Sequence, residues 1–217
     1  MTKHREHGVR TPEWETIHAD QRPRMQLLIV TKPSRQRSAV GVHIVRREEE
    51  LAPAIADAAK YDCELLIEKF VSGRELTIGI RGEHALPILE IIPKGGFYDF
   101  ANKYPFLNPQ AGGGAEHVCP ARIDEEKTVE IQGLALGAFR ALGLRVWGRV
   151  GVILSDSGEP FVVEVNTIPG MTETSLLPEA ATVAGIGYAD LCARIIALSR
   201  LRQGYNRQPR ARTEGKR

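Results

Sequence analysis

The sequence is poor in cysteine and in long apolar runs, and each scarcity closes off a class of protein. Its three cysteines, Cys63, Cys119 and Cys192, lie far apart and form no CxxC pair. Neither a disulfide framework nor a zinc site is indicated, and the expected compartment is reducing and cytoplasmic. Cys63 and Cys192 read as small core residues. No apolar stretch approaches the roughly 18 residues of a membrane-spanning helix; Leu27–Val30 is typical of the longest. The charged opening MTKHREHGVR has no apolar core of the kind a secretory signal needs. A surplus of one charge sign is also missing: the net charge is +2 over 217 residues. That balance hides an asymmetry, because seven basic residues and one acidic residue fall from Arg200 onward, leaving a mildly acidic body. The tail lacks periodicity and has Tyr205 as its one aromatic. Residues 200–217 therefore read as a solvated, disordered segment, and no nucleic-acid or membrane partner is expected.

What is present fits an ordinary globular chain, 42% hydrophobic and 26% charged. Residues 1–25 are polar, broken by Pro12 and Pro23, and read as a lead-in outside the core. Strands are predicted over 27–33, 40–45, 63–70, 74–81, 84–92, 144–154 and 160–166. Val71-Ser72-Gly73 and Ser155–Glu159 read as hairpin turns joining their flanking strands. A helix opens at Glu48, a second follows Asp124 and stops at Gly143, and two shorter ones lie near 176–184 and 187–199. Between them, residues 93–117 are rich in glycine and proline and carry Phe97, Tyr98, Phe100, Tyr104 and Phe106. So long a patternless stretch inside a compact domain reads as a functional lid. Strands and helices mix without a βαβ rhythm, which predicts an α+β fold with mainly antiparallel sheets.

Chemistry concentrates at a few points. In Val162–Asn166 the side chains of Glu164 and Asn166 share one strand face. A carboxylate and a carboxamide before a Pro-Gly loop are oxygen ligands that Mg²⁺ accepts; a polar face meeting solvent explains the pattern equally well. The hairpin centred near Ser157 places Arg149 and Gly151 on that same face. Arg149 suits a carboxylate, phosphate or oxyanion there, or a surface salt bridge. Lys32 ends a buried strand before a polar loop, where a lysine can reach phosphates as a point charge, although neither a Walker motif nor G-x-G-x-x-G accompanies it. Glu68-Lys69-Phe70-Val71 offers a backbone edge for an adenine ring, and Glu75 a carboxylate for ribose hydroxyls, although a purely structural part explains each singly at least as well.

The strings TKPSRQRSAVGV, LLIEKFVSGREL, PKGGFYDFANKY, GGAEHVCPA, WGRVG and VEVNTIPGMTETSLLP, in this order from about Gly8 to Leu198, resemble D-alanine–D-alanine ligase, an ATP-grasp enzyme of peptidoglycan synthesis. The resemblance implies two sheet-plus-helix subdomains gripping ATP, here 26–92 and 93–199, with the lid over 93–117. Lys32 resembles the phosphate-binding lysine, Glu68, Lys69, Phe70 and Val71 the adenine linker, Glu75 the ribose carboxylate, and Lys103 a lid lysine on the phosphates. Glu164 and Asn166 resemble ligands of Mg²⁺ (or Mn²⁺); Arg149 and the Gly170 amide resemble the oxyanion site. Ser175 and Leu176 resemble contacts to the second D-alanine, and Ser38 with Tyr104 the pair linking loop and lid to the first. The implied reaction joins two D-alanines through an acyl phosphate at the expense of ATP, in a homodimer.

Three departures qualify the resemblance. The family opens with a further domain that this sequence lacks. Its Arg-x-Asp reads Arg149-Val150-Gly151 here, which removes a metal-binding carboxylate. Arg37 stands where the phosphate loop usually has glycine. The alternative reading is therefore a degenerate fragment that binds nucleotide and turns over little.

Overall fold

The computed structural model describes residues 2–36, 40–93 and 115–204. After a short helix Thr2–Glu6 (α1), four strands form the first sheet: Trp14–His18 (β1), Ile29–Pro33 (β2), His43–Val45 (β3) and Glu64–Lys69 (β4). Their spatial order is β1-β4-β2-β3, with every pairing antiparallel. Side chains alternate between faces. Ile17, Ile29, Leu65 and Ile67 thus bury against the helix Glu48–Ala58 (α2), whose stripe is Leu51, Ala54 and Ala58. Residues paired across the register share the reverse face: Trp14, Val30 and Glu68 in one row, Thr16, Lys32 and Leu66 in the next. The start of α2 is held by Glu50, which accepts the backbone N–H groups of Arg46 at 2.8 Å and Arg47 at 3.3 Å.

The second sheet takes Gly73–Arg81 (β5), His84–Ala85 (β6), Leu89–Pro93 (β7), Ala115–Val118 (β8), Trp147–Ser155 (β9) and Pro160–Asn166 (β10). Its order is β10-β9-β5-β7-β8, with β6 beside β5. The helix Glu125–Ala141 (α3) is capped by Asp124, which accepts the Lys127 N–H at 2.8 Å. It lays Ile131, Ala135, Ala138 and Phe139 on Leu76, Ile78, Ile80, Val150 and Val152. Truncating a ring as buried as Phe139 costs about 3–5 kcal/mol. Leu176–Val183 (α4) and Tyr188–Gly204 (α5) bury Leu177, Ala180, Ala181 and Leu191 with Leu86 in a separate cluster. A Cβ built at Gly79 would stand 3.3 Å from Leu177 Cγ, so α4 covers the face opposite α3 at the Gly79 end of β5.

Several expectations need correction. Residues 1–25 are not outside the core: Trp14–His18 pairs with residues 64–68 of β4, Ile17 and Val9 are buried, and His4 is 5% exposed. The cue was the short alternation in WETIH, outweighed by the flanking prolines. Val71-Ser72-Gly73 is not a hairpin, because β4 and β5 belong to different sheets. Gly73 has φ +156°, and a Cβ there would fall 2.1 Å from the Leu154 carbonyl oxygen. Only glycine lets the chain turn so closely onto β9. The break between sheets consequently falls at 70–72, not at 92. The expected strand 84–92 divides around Pro87, which has no N–H to give a ladder. Of the expected lid, Pro93 and 115–117 are strand, and 94–114 lie outside the described residues. The last helix runs on to Gly204, because Arg200 to Gln203 are good helix formers with no breaker among them. Cys63, expected in the core, is exposed. No single helix among the described residues is long and apolar enough to cross a membrane.

Candidate active site

On the first sheet, Lys32 and Glu68 lie on the face away from α2, one strand and two residues apart. Lys32 Nζ meets Glu68 Oε2 at 2.5 Å, with the glutamate side chain 5% exposed and the lysine 23%. Glu68 Oε1 is buried and makes no hydrogen bond among the described residues. Trp14, which sequence reasoning missed with its strand, stands directly across from Glu68. The backbone that follows is pinned on both sides: the Lys69 N–H donates to the Glu13 carbonyl at 2.9 Å and the Phe70 N–H to the Leu28 carbonyl at 3.0 Å. Phe70 packs under the Arg46 guanidinium at 5.8 Å, and Val71 leads at once into β5. Glu75 lies on β5 between Ile91 and Ile153, on the face opposite the Leu76 core.

On the second sheet, the hairpin register places Arg149 opposite Asn166 and Gly151 opposite Glu164. All four lie on the face turned from α3, since Val150, Val152 and Val162 fill the core. A bulge between Val162 and Glu164 restores this alignment after one extra residue. Arg149 is 15% exposed and held at both ends of its guanidinium. Nη1 donates to Thr77 Oγ1 at 2.9 Å and Nη2 to Glu164 Oε1 at 2.8 Å. Thr77, 2% exposed, is a positioning residue that no sequence motif signalled; it faces Gly151 across the β5–β9 register.

Gly79 pairs with Arg149, and Leu177 covers Gly79. The first turn of α4, with Ser175 as its N-cap and Leu176 next, is thereby set beside the Arg149 face. Gly170 lies against the same turn: a Cβ there would sit 2.7 Å from Ser175 Oγ. That hydroxyl also accepts the Thr172 N–H at 3.1 Å and bonds the Thr172 hydroxyl at 2.7 Å. One turn on, Glu179 Oε2 meets His117 Nδ1 of β8 at 2.7 Å. Burial, with the nearby Glu179 charge, pushes the Cys119 thiol up to about 11.

Arg149, Glu164, Asn166, Gly170, Ser175 and Leu176 are thus brought to one region, and Lys32, Glu68 and the linker to another. Ser38, Lys103 and Tyr104 lie outside the described residues. The donor set can be tested for a cation. Glu164 is engaged by Arg149, and Asn166 Oδ1 accepts the Ile168 N–H at 3.1 Å. Among the described residues no group of three or more His, Cys, Asp or Glu side chains could hold a metal ion. One carboxylate already paired with a guanidinium does not fit a magnesium ion held by protein alone.

Comparison with known proteins places the chain in a family. The family described as D-ala D-ala ligase C-terminus matches residues 5–197. The D-alanine–D-alanine ligase of Methylacidiphilum infernorum (isolate V4) is 44% identical over 195 residues, covering 90% of this chain and 62% of that protein. That of Geotalea uraniireducens (strain Rf4) is 44% identical over 176 residues, covering 81% and 55%. The chain therefore spans 55–62% of the length of these relatives. The D-alanine–D-alanine ligase of Bacillus anthracis complexed with ATP superposes with a TM-score of 0.77 at 30% identity, over 94% of this chain and 66% of that one. The VanG D-Ala:D-Ser ligase of Enterococcus faecalis gives 0.78 at 27% identity, over 91% and 59%. Two antiparallel sheets with their helices, in the ATP-grasp arrangement of these ligases, and a match along nearly the whole sequence lead to one assignment: the chain belongs to the D-alanine–D-alanine ligase C-terminal family.

Proposed function

We propose that this chain binds ATP and carries the nucleotide-handling part of an ATP-dependent D-alanine–D-alanine ligase, supplying dipeptide for peptidoglycan in the cytoplasm, where ATP is at hand. The observation that carries this reading is the placing of Arg149, Glu164 and Asn166 on one sheet face beside the first turn of α4. In this reading the terminal phosphoryl group of ATP passes to the carboxylate of one D-alanine, giving an acyl phosphate and ADP. The amine of a second D-alanine attacks that carbonyl, a tetrahedral oxyanion forms, and phosphate leaves as the amine sheds its proton.

Each residue has a part consistent with its surroundings. Lys32 neutralises phosphate charge, the Lys69–Val71 backbone seats the adenine, and Glu75 takes the ribose hydroxyls. Arg149, already oriented by Thr77, meets the developing oxyanion with the Gly170 amide. Ser175 and Leu176 hold the second D-alanine. Lys103, Ser38 and Tyr104 complete the phosphate and first-substrate contacts. A divalent ion accompanying ATP is held chiefly by phosphate oxygens.

A second reading, nucleotide binding with little turnover, is favoured by Gly151 and the single carboxylate opposite it. Incubation with ATP, MgCl₂ and D-alanine, followed by mass spectrometry for the dipeptide and a phosphate assay, separates the two. Dipeptide with stoichiometric phosphate supports the ligase. ATP binding by calorimetry without dipeptide supports the second reading, and absence of ATP binding overturns both.

A further inference from the structure

Thr77, Gly151 and Glu164 form one row across β5, β9 and β10. Thr77 and Glu164 grip the two ends of the Arg149 guanidinium. The Glu164 side chain reaches it by leaning over Gly151. A Cβ at 151 would stand 2.8 Å from Glu164 Cγ, 3.5 Å from Oε1 and 3.6 Å from Cδ. The space above Gly151 is thus filled by the glutamate itself, and any larger residue there would have to displace it. Arg149 sits in the next row, between Gly79 and Asn166, and its guanidinium meets the Glu164 carboxylate at 2.8 Å.

We infer that Glu164 in this chain is the internal counter-ion of Arg149, made possible by Gly151, and that the strand end is an anion-exchange site: the phosphate or carboxylate of a substrate displaces Glu164 from the guanidinium. Such a site holds no divalent cation before nucleotide arrives, because its carboxylate is spent on the arginine. Arg149 keeps its orientation through Thr77 when Glu164 leaves, so the anion meets a guanidinium already in place. The inference rests on the nucleotide-binding reading above only for the identity of the incoming anion.

The test is a titration of Mn²⁺ into the metal-free chain, with free Mn²⁺ read by electron paramagnetic resonance. The unaltered chain is expected to bind more weakly than about 1 mM, the weak end of protein-held divalent sites, and Glu164→Gln to change this by less than about twofold. Gly151→Asp places a second carboxylate in the row and is expected to strengthen Mn²⁺ binding about tenfold or more. Circular dichroism establishes whether that variant folds; if it does not, the Glu164→Gln comparison decides alone. Sub-millimolar Mn²⁺ binding that Glu164→Gln abolishes overturns the inference, as does a folded Gly151→Asp with no gain. In a second arm, ATP is titrated in EDTA. Glu164→Gln frees the guanidinium and is expected to tighten metal-free ATP binding several-fold, and weaker binding contradicts the counter-ion role. No ATP binding by any of the proteins would overturn the nucleotide reading and leave the Mn²⁺ result standing.

Discussion

Replacing Lys32 by methionine separates what this lysine does for the fold from what it does for nucleotide. Glu68 is the more deeply buried partner, 5% exposed against 23% for Lys32, and the two charges meet at 2.5 Å. Its other oxygen makes no hydrogen bond among the described residues. Lys32→Met therefore strands a carboxylate with little water to solvate it. Breaking a fully buried pair costs about 3–5 kcal/mol; the partial exposure of Lys32 lowers that to about 2–3 kcal/mol. In a chain of this size that corresponds to a fall in Tm of roughly 4–12 °C. Glu68→Gln added to Lys32→Met removes the stranded charge, and the double variant is expected to regain about half the loss or more. Urea unfolding at pH 7, followed by circular dichroism on wild type, both singles and the double, measures the coupling. Calorimetry with ATP supplies the functional half: the double variant should be folded yet bind nucleotide poorly. A Lys32→Met loss below about 0.5 kcal/mol would refute the buried-pair argument. Wild-type ATP affinity in the double variant would remove Lys32 from the phosphate site.

Other expectations follow from single contacts. Thr77→Val keeps the shape of a side chain 2% exposed but leaves an Arg149 N–H without its acceptor. It should cost about 1.5–3 kcal/mol in urea unfolding, and a neutral result would show that Thr77 does not hold the guanidinium. The Cys119 thiol, pushed by burial from 9.0 to about 11, stays protonated in the fold while the unfolded chain ionises. Stability should therefore fall as pH rises from 9 to 11, and Cys119→Ser should flatten that slope. Alkylation at pH 8 should label exposed Cys63 well before Cys119, by mass spectrometry of the peptides. Glu90 accepts both Arg74 N–H bonds, at 2.7 and 2.6 Å, and this pairing holds its carboxyl below the usual range. Its contribution is present above the unfolded carboxylate value of 4.5 and lost as pH falls through the lower folded value. Glu90→Gln should therefore be less stable at neutral pH and less acid-sensitive, and parallel stability-versus-pH curves would argue against the pair.

The amino-acid order by itself determined the elements whose cues are local. The alternation in Val162–Asn166 and the Ser155–Glu159 turn carry enough period and turn chemistry to put Glu164 and Asn166 on one face. Asp124 and the acidic triplet Glu48–Glu50 mark their helix starts because capping is satisfied within a few residues. Long family-specific strings carried the assignment of the chain to its family. Tertiary structure alone decided what depends on partners distant in sequence. Trp14–His18 became a strand because β4 offers it an edge, despite prolines on either side. The chain left one sheet for the other just before Gly73, where only a glycine can lie so close to the Leu154 carbonyl of β9. Thr77 came under Arg149 from 72 residues away, and Glu164 folded over Gly151 to meet the same guanidinium. A lone threonine in a buried strand has no period and no motif. Its meaning appears only when the register sets it beside a charge.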